Sequence, residues 1–322
     1  MVSSIVTILI LLALAALFAW LVTRAWKSKR WYIKFPGVIL AGLFTLVFAL
    51  LTFAMAKGLY DLTRPYPVAS VNVTIAGTPE QIARGEHLAT VLCAGCHSQN
   101  GQLPLTGGNN LSDDSGLPLG DLFAPNITPA GKIKEFSDNE LYRILRTGVE
   151  PNGRASFMAG VTARYMSDAD AQAVIAYLRQ SPPVEKQTPP ISYSPLLTLL
   201  GGVGLLGINV PDPLQPVTAP PKAATKEYGE YVVRFLDCRG CHGPTLSGDA
   251  LPPAPPGASN LTVIVPKWSK DNFFQAMRTG VDVTGHRISP PMPWKQVGLL
   301  DDVELEALYE YLHALSPIVA KK

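Results

Sequence analysis

The sequence predicts a mainly α protein, an N-terminal two-helix transmembrane hairpin followed by two copies of one small helical domain. Three observations carry that reading. Two charge-free apolar runs open the chain, the string Cys-x-x-Cys-His occurs twice, and the second copy of that string sits in a stretch repeating the order and spacing of the first. At 322 residues the chain is too long for one small domain and fits two of about 100 residues plus extra segments. A hydrophobic content of 47% with a positive mean hydropathy of +0.18 calls for a membrane segment to hold the excess.

The hairpin comes first. Val2 to Val22 is a run of 21 residues without a charged side chain, and Phe35 to Ala56 is another of 22. Each crosses a hydrocarbon core of about 30 Å as a helix. Spans are therefore expected over about 2–22 and 35–56 in a hairpin of residues 1–62. The connecting loop carries Arg24, Lys27, Lys29, Arg30 and Lys34 and no acid, which places it in the cytoplasm by the positive-inside rule. Trp20, Trp26, Trp31 and Tyr32 stand at the edges of the spans, where amphipathic rings prefer the headgroup level. Both outer helix ends then lie on the periplasmic or extracytoplasmic side of the cell (inner) membrane, with everything after about Asp61. A cleaved signal peptide would carry its basic residues before the apolar run, whereas here they follow it. The spans hold no charged residue that would suggest ion conduction.

Charge is best read for the exported part alone. Residues 65–322 hold 20 Lys+Arg against 24 Asp+Glu, a net of −4, although the whole chain is +2. Nucleic-acid binding has no support in that balance. A mildly acidic surface suits a basic partner, or is simply a solvated face.

The two motifs are Cys93-Ala94-Gly95-Cys96-His97 and Cys238-Arg239-Gly240-Cys241-His242, and they use all four cysteines. Two thiols three residues apart on one helical turn can each add across a vinyl group of the same porphyrin, and the adjacent histidine then faces the iron. Two covalently bound haem c groups are expected, with Cys93, Cys96, Cys238 and Cys241 attaching them and His97 and His242 as proximal ligands. A four-thiolate zinc site competes but leaves both histidines unexplained. A disulfide framework competes less well, since a two-residue gap is tight and a chain of this length buries its own core.

The repeat extends beyond the cysteines. Phe136-Ser137 through Arg146-Thr147-Gly148-Val149 matches Trp268-Ser269 through Arg278-Thr279-Gly280-Val281 at an offset of 132. The offset becomes 134 for Asn126 against Asn260, Met158 against Met292 and Tyr177-Leu178 against Tyr311-Leu312. Domains are expected at 79–183 and 224–318, joined by a Pro-rich and apolar linker over 184–223. In each, a first helix brings apolar residues into the motif: Ile82, Leu88, Val91 and Leu92 in one copy, Tyr231, Val232, Phe235 and Leu236 in the other. A middle helix opens at Ser137 with Glu140 three residues on, a capping-box signature, and stops at Gly148; its twin runs from near Ser269 to Gly280. The last helices cover about Ala169 to Gln180 and Asp302 to Leu315. Within the linker, residues 196–210 are apolar but too short and glycine-rich for a third span, and an odd crossing would strand the second copy inside. Packing across the two domains, contact with a membrane partner and burial between the domains all remain open for this segment.

Position selects the sixth ligand. Met158 lies 61 residues after His97 and Met292 lies 50 after His242, each between the middle and last helices. Prolines at 290, 291 and 293 stiffen the loop around Met292. Met277 falls inside a helix and Met166 just before one, which suits core packing. His87 and His313 take surface or packing roles, and His286 is the rival to Met292. Two roles are open to Asn126 and Asn260: bonding a haem propionate, or ordering the loop. Trp268, where the other copy has Phe136, packs on the haem edge or donates its indole proton to a propionate. Pro104 and Pro125 are candidates to offer a carbonyl to His97.

Phe123-Ala124-Pro125-Asn126-Ile127-Thr128-Pro129, Phe136-Ser137, Arg146-Thr147-Gly148-Val149, Met158, Ser167-Asp168-Ala169-Asp170 and Ala176-Tyr177-Leu178 form a pattern. It resembles the class I cytochrome c domains in the cytochrome subunits of membrane-bound alcohol, aldehyde and related dehydrogenases, over residues 79–183 well and 224–317 more loosely. The resemblance implies Met158 and Met292 as axial ligands, and a chain that accepts electrons from a catalytic partner and passes them to quinone or a terminal oxidase. Those subunits have three haem domains and no N-terminal hairpin. Two haems with two spans are closer to the diheme subunit of cbb-type oxidases. In the ligand loop, the first copy has Met158-Ala159 where the second has Met292-Pro293.

The expected function is electron relay in a respiratory or photosynthetic complex. Its partners are redox proteins, other subunits of that complex among them, and membrane lipid. The enzyme alternative, a diheme peroxidase or thiosulfate-oxidising cytochrome, needs an open axial site and a legible acid or base constellation, and none is read here. A pure assembly subunit would need neither haem motif.

Overall fold

The computed structural model describes residues 2–67, 70–160, 162–206, 214–248 and 257–318. It is mostly helical. The helices that frame it and carry its motifs are, in chain order, α1 (Val2–Trp26), α2 (Trp31–Thr63), α3 (Pro79–Leu88), α4 (Ala94–His97), α5 (Asp138–Thr147), α6 (Asp168–Gln180), α7 (Pro195–Gly202), α8 (Lys226–Phe235), α9 (Cys238–His242), α10 (Lys270–Thr279) and α11 (Asp302–His313). They fall into two compact units.

The first unit comprises residues 1–66, 110–123 and 189–208. In it α1 and α2 pack along each other, with Phe18 stacked on Phe44 at 4.9 Å between ring centroids. At 25 and 33 residues both are long enough to span. Their apolar side chains point outward almost everywhere, Leu9, Leu43 and Phe53 among them, as in helices solvated by lipid rather than by a protein core. Past Ala56, α2 continues to Thr63 because its last turns are stitched by polar pairs, Lys57 to Asp61 at 2.7 Å and Arg64 to the same carboxylate at 3.3 Å.

The apolar stretch of the linker folds within this unit. Its first part is α7, which packs on α2 at backbone-to-backbone distance. A Cβ added to Gly58 would sit 1.8 Å from the Thr198 carbonyl oxygen, and one added to Gly202 would sit 1.6 Å from that of Ala54. Small residues let two helices touch in this way. The contact also hides a polar pair, Ser4 Oγ and Thr198 Oγ1 at 2.8 Å, both fully buried and satisfying each other. A two-residue antiparallel pairing of β1 (Gly120–Asp121) with β2 (Ser192–Tyr193) holds the entry to α7. Residues 207–213, at the end of the apolar stretch, lie outside the described residues.

The second unit, residues 67–109, 124–188 and 209–322, contains both haem motifs. In each copy the helix leading to the motif crosses the last helix: α3 on α6, and α8 on α11. A glycine makes each crossing possible. A Cβ at Gly85 would lie 1.9 Å from the Ala173 carbonyl oxygen, and one at Gly229 would lie 1.9 Å from that of Ala307.

The middle helices match the sequence reading at both ends. Ser137 and Glu140 form a reciprocal capping box on α5, which ends at Gly148 in the left-handed region (φ 70°). Ser269 caps α10, which ends at Gly280 (φ 71°). The arginine of each Arg-Thr-Gly-Val string reaches from the middle helix to the start of the last one. Arg146 donates to Asp168 and to the Gln215 carbonyl, and Arg278 donates to Asp302 at 2.8 Å and to the Leu300 carbonyl at 2.7 Å. A single apolar core runs through both copies, from Leu88, Leu141 and Ile175 to Val232, Phe273 and Leu305.

Candidate haem sites

Each motif needs its chain to turn sharply where the first cysteine enters, and the two copies solve this differently. In the first, α3 is capped by Thr78 with Pro79 at its first position, then widens into a π-helical turn over Ala89–Cys93 that re-aims the chain into α4. In the second, α8 stops and Asp237 takes the left-handed conformation (φ 52°, ψ 42°) before α9 begins at Cys238. Aspartate tolerates that region better than most residues. A Cβ at Gly240 would lie 2.6 Å from the Asp237 carboxylate, so a larger residue there would push that side chain aside.

Both motif histidines are buried, each only 7% exposed. His97 Nδ1 lies 2.9 Å from the Pro125 carbonyl oxygen, and His242 Nδ1 lies 2.8 Å from that of Ser259. A carbonyl only accepts, so Nδ1 carries the proton and Nε2 keeps its lone pair for a metal. Burial pushes both imidazoles below their ordinary range, against the opposing effect of that hydrogen bond, so both stay neutral. Burial also pushes the Cys93 and Cys238 thiols up to about 12, with the Cys96 thiol and the Asp237 carboxylate respectively adding to it. None of the four cysteines is in a disulfide. Two thiols and an unprotonated Nε2 on one turn fit a covalently attached haem, and the fit occurs in both copies.

The loops bearing the predicted distal ligands start alike. After α5, Val149 bridges Ala155 and Ser156 N donates to the Gly148 carbonyl at 2.8 Å; after α10, Val281 bridges Arg287 and Ile288 N donates to the Gly280 carbonyl at 2.8 Å. Met158 and Met292 follow these turns, each half-buried against the core. Met166 and Met277 are buried packing residues. His286 is exposed in a turn whose Asp282 carboxylate accepts its backbone N–H at 3.0 Å.

The asparagines order loops. Both amide hydrogens of Asn126 go to carbonyls just beyond α6, Val184 at 2.8 Å and Lys186 at 3.1 Å. Asn260 likewise donates to the Ile318 carbonyl beyond α11 at 2.7 Å. Of the two roles open to them in the sequence, tying the loop is the one these bonds perform; the propionate role assigned to Asn126 and Asn260 has no free donor at Asn126. Trp268 packs on the core, and its carbonyl accepts the Tyr309 hydroxyl at 3.0 Å.

The cytochrome c family model matches residues 82–182 and 227–316, more than half of the chain. The chain belongs to the cytochrome c family. With that membership come covalently bound haem c and electron transfer. Among relatives, a nicotinate dehydrogenase subunit of Pseudomonas putida is 27% identical over 321 aligned residues, covering 90% of this chain and 25% of that protein. The gluconate 2-dehydrogenase cytochrome c subunit of Pantoea cypripedii is 32% identical over 102 residues, 28% of this chain and 23% of that protein. The fructose dehydrogenase cytochrome subunit of Gluconobacter japonicus is 34% identical over 110 residues, 31% of this chain and 22% of that protein. The chain thus spans a quarter or less of the length of each of these relatives.

A polar cluster joins the two halves of this cytochrome, and of its members the sequence gives a role to His87 alone, on the surface or in packing. Glu304 of α11 is fully buried. It accepts from Arg84 Nη1 at 2.5 Å, shares a hydrogen bond of 2.6 Å with His87 Nε2, and closes a capping box with Asp301. The same Arg84 grips Asp170 of α6 with two parallel bonds of 2.8 and 3.0 Å. Ligand atoms of His87, Asp301 and Glu304 lie within 4.8 Å of one another, but Arg84 and Lys222 already supply the cations there.

Proposed function

We propose that the chain is a membrane-anchored diheme cytochrome c, relaying electrons from a dehydrogenase-type partner subunit to an acceptor in a membrane electron-transport chain. One observation carries the reading. In both copies the motif imidazole is locked by a backbone carbonyl at Nδ1, leaving two equivalent Nε2 atoms beside two pairs of thiols. His97 and His242 are the proximal ligands in this reading, and Met158 and Met292 the distal ones. Cys93, Cys96, Cys238 and Cys241 form the thioethers, and Trp268 covers a haem edge. When bound, each haem supplies a one-electron iron couple, and methionine ligation raises its potential. The chain's own residues orient the ligands and exclude water. Relatives described as cytochrome subunits of dehydrogenases support such a partner.

The hairpin anchors this relay, with the basic loop from Arg24 to Lys34 in the cytoplasm and both haem halves on the periplasmic side. The partner, the diheme state and the orientation stand together in this reading. The test is haem content per chain, with a redox titration followed in the visible spectrum and in the near-infrared band that reports methionine on iron. Two covalent haems, both with that band and both at high potential, are expected. A haem lacking the band, titrating low or binding carbon monoxide would overturn the assignment in favour of an open catalytic site.

A further inference from the structure

Several contacts between the two haem-bearing halves come in mirrored pairs. The helix crossings define the equivalences, since Gly85 meets Ala173 as Gly229 meets Ala307. One residue before each glycine stand Arg84 and Tyr228; two residues after stand His87 and Tyr231; three residues before each alanine stand Asp170 and Glu304. Across the junction, His87 of the first half bonds Glu304 of the second at 2.6 Å, and Tyr231 of the second half bonds Asp170 of the first at 2.6 Å. Arg84 lies between the two acids, bonded to both, and the Tyr228 hydroxyl accepts from it at 3.2 Å. These are the reciprocal contacts of an isologous interface, made here within one chain.

The mirror continues toward the haem sites. The short helix Trp294–Val297, just after Met292, packs against the first half's π-helical turn, and a Cβ on Gly95 of the first motif would meet Gln296 at 3.3 Å. In return the segment Thr162–Tyr165, just after Met158, packs against α8 of the second half, and the Arg164 charge acts on Asp237 beside Cys238. The segment following each copy's predicted distal ligand therefore abuts the helical run that leads into the other copy's motif.

We propose that the two halves form a fixed internal dimer about a pseudo-twofold axis, and that Arg84, clamped between Asp170 and Glu304, is the positioning residue that holds the two haem sites together for direct transfer. This deepens the diheme reading and rests on it. Arg84 touches neither haem attachment nor axial ligand; it acts through the junction. A planar, bidentate guanidinium between two carboxylates fixes an angle as well as a distance, which a point charge would not. Buried ion pairs are best attested in such registry roles.

The experiment is the rate of electron redistribution between the haems after partial pulse reduction of the full-length protein in detergent, for wild type and Arg84→Ala. The expected result is a several-fold slower rate in the variant, with both haems present, both potentials unchanged and both methionine bands intact. Arg84→Ala strands two buried carboxylates, so Tyr231→Phe is the second variant; it removes only the hydroxyl joining Asp170 to Ser167 N and should slow transfer in the same direction. An unchanged rate in both variants would overturn the proposal. So would loss of a haem or of a methionine band in Arg84→Ala alongside an unchanged rate in Tyr231→Phe, since Arg84 would then support a single pocket. Wild-type protein with one haem would instead overturn the diheme reading beneath it.

Discussion

Glu304 is a carboxylate with no exposed surface that stays charged. Burial would raise its pKa, but the hydrogen bond from His87 and the charge of Arg84 outweigh burial and hold it near 2, against an ordinary 4.5. The groups that face it are Arg84 and His87 on α3, Tyr228 on α8, Lys222, and Asp301 at its own helix start. A carboxylate depressed in the folded state stabilises fully above its unfolded pKa and loses that contribution as pH falls through the folded one. Between pH 4.5 and 2 the protein should therefore lose about 3 kcal/mol from this group alone. Denaturant unfolding at stepped pH checks this, and Glu304→Gln, less stable at neutral pH, should show a shallower acid slope; an equal slope in both would refute it. None of this is legible in the sequence, because Arg84, His87 and Glu304 each read as ordinary polar positions on helices. Only the fold brings together residues 220 positions apart. Local devices are legible, since Ser137, Glu140 and Gly148 act on backbone within four residues of themselves.

At the scale of elements, helix boundaries followed from caps and periodicity, while helix crossings did not. Glycine within a helical run costs about 1 kcal/mol relative to alanine, and nothing in the sequence alone gives Gly85 or Gly229 a purpose. Their use emerges only where α3 meets α6 and α8 meets α11, at distances that exclude a Cβ. Gly85→Leu should thus drive a side chain into the Ala173 backbone, which cannot move aside as a flexible side chain would. We expect a loss of at least about 3 kcal/mol, at the upper end of overpacking effects, with lower haem occupancy and a lower thermal midpoint. Gly42→Ala is the control, since nothing lies within 4 Å of a Cβ there. Equal melts for the two variants would show that the crossing is not tight. The motif turns were invisible for a different reason. A π-helical turn in one copy and a left-handed Asp237 in the other are unlike answers to one geometric demand, so self-alignment of the sequence blurs rather than reveals them.

At the scale of the molecule, the hairpin and the haem halves constrain each other through topology. In the proposed topology an even number of spans places both outer helix ends on one side of the membrane, and both haem motifs share that compartment. In that proposal the five bases of the loop, Arg24, Lys27, Lys29, Arg30 and Lys34, carry the orientation signal, because α1 offers no other charge than Arg24 in its last turn. Replacing all five with glutamine and adding lysines before α1 should invert a fraction of the chains. Covalent attachment takes place on the outer face, so an inverted chain should lose both haems together and never just one. Haem staining of denatured protein, paired with protease digestion of intact spheroplasts, separates the outcomes. Chains that are protected from protease and also free of haem support the topology. Wild-type chains that are protected from protease yet carry haem would mean that the basic loop faces outward in the native protein, and the periplasmic assignment of both halves would fall with it.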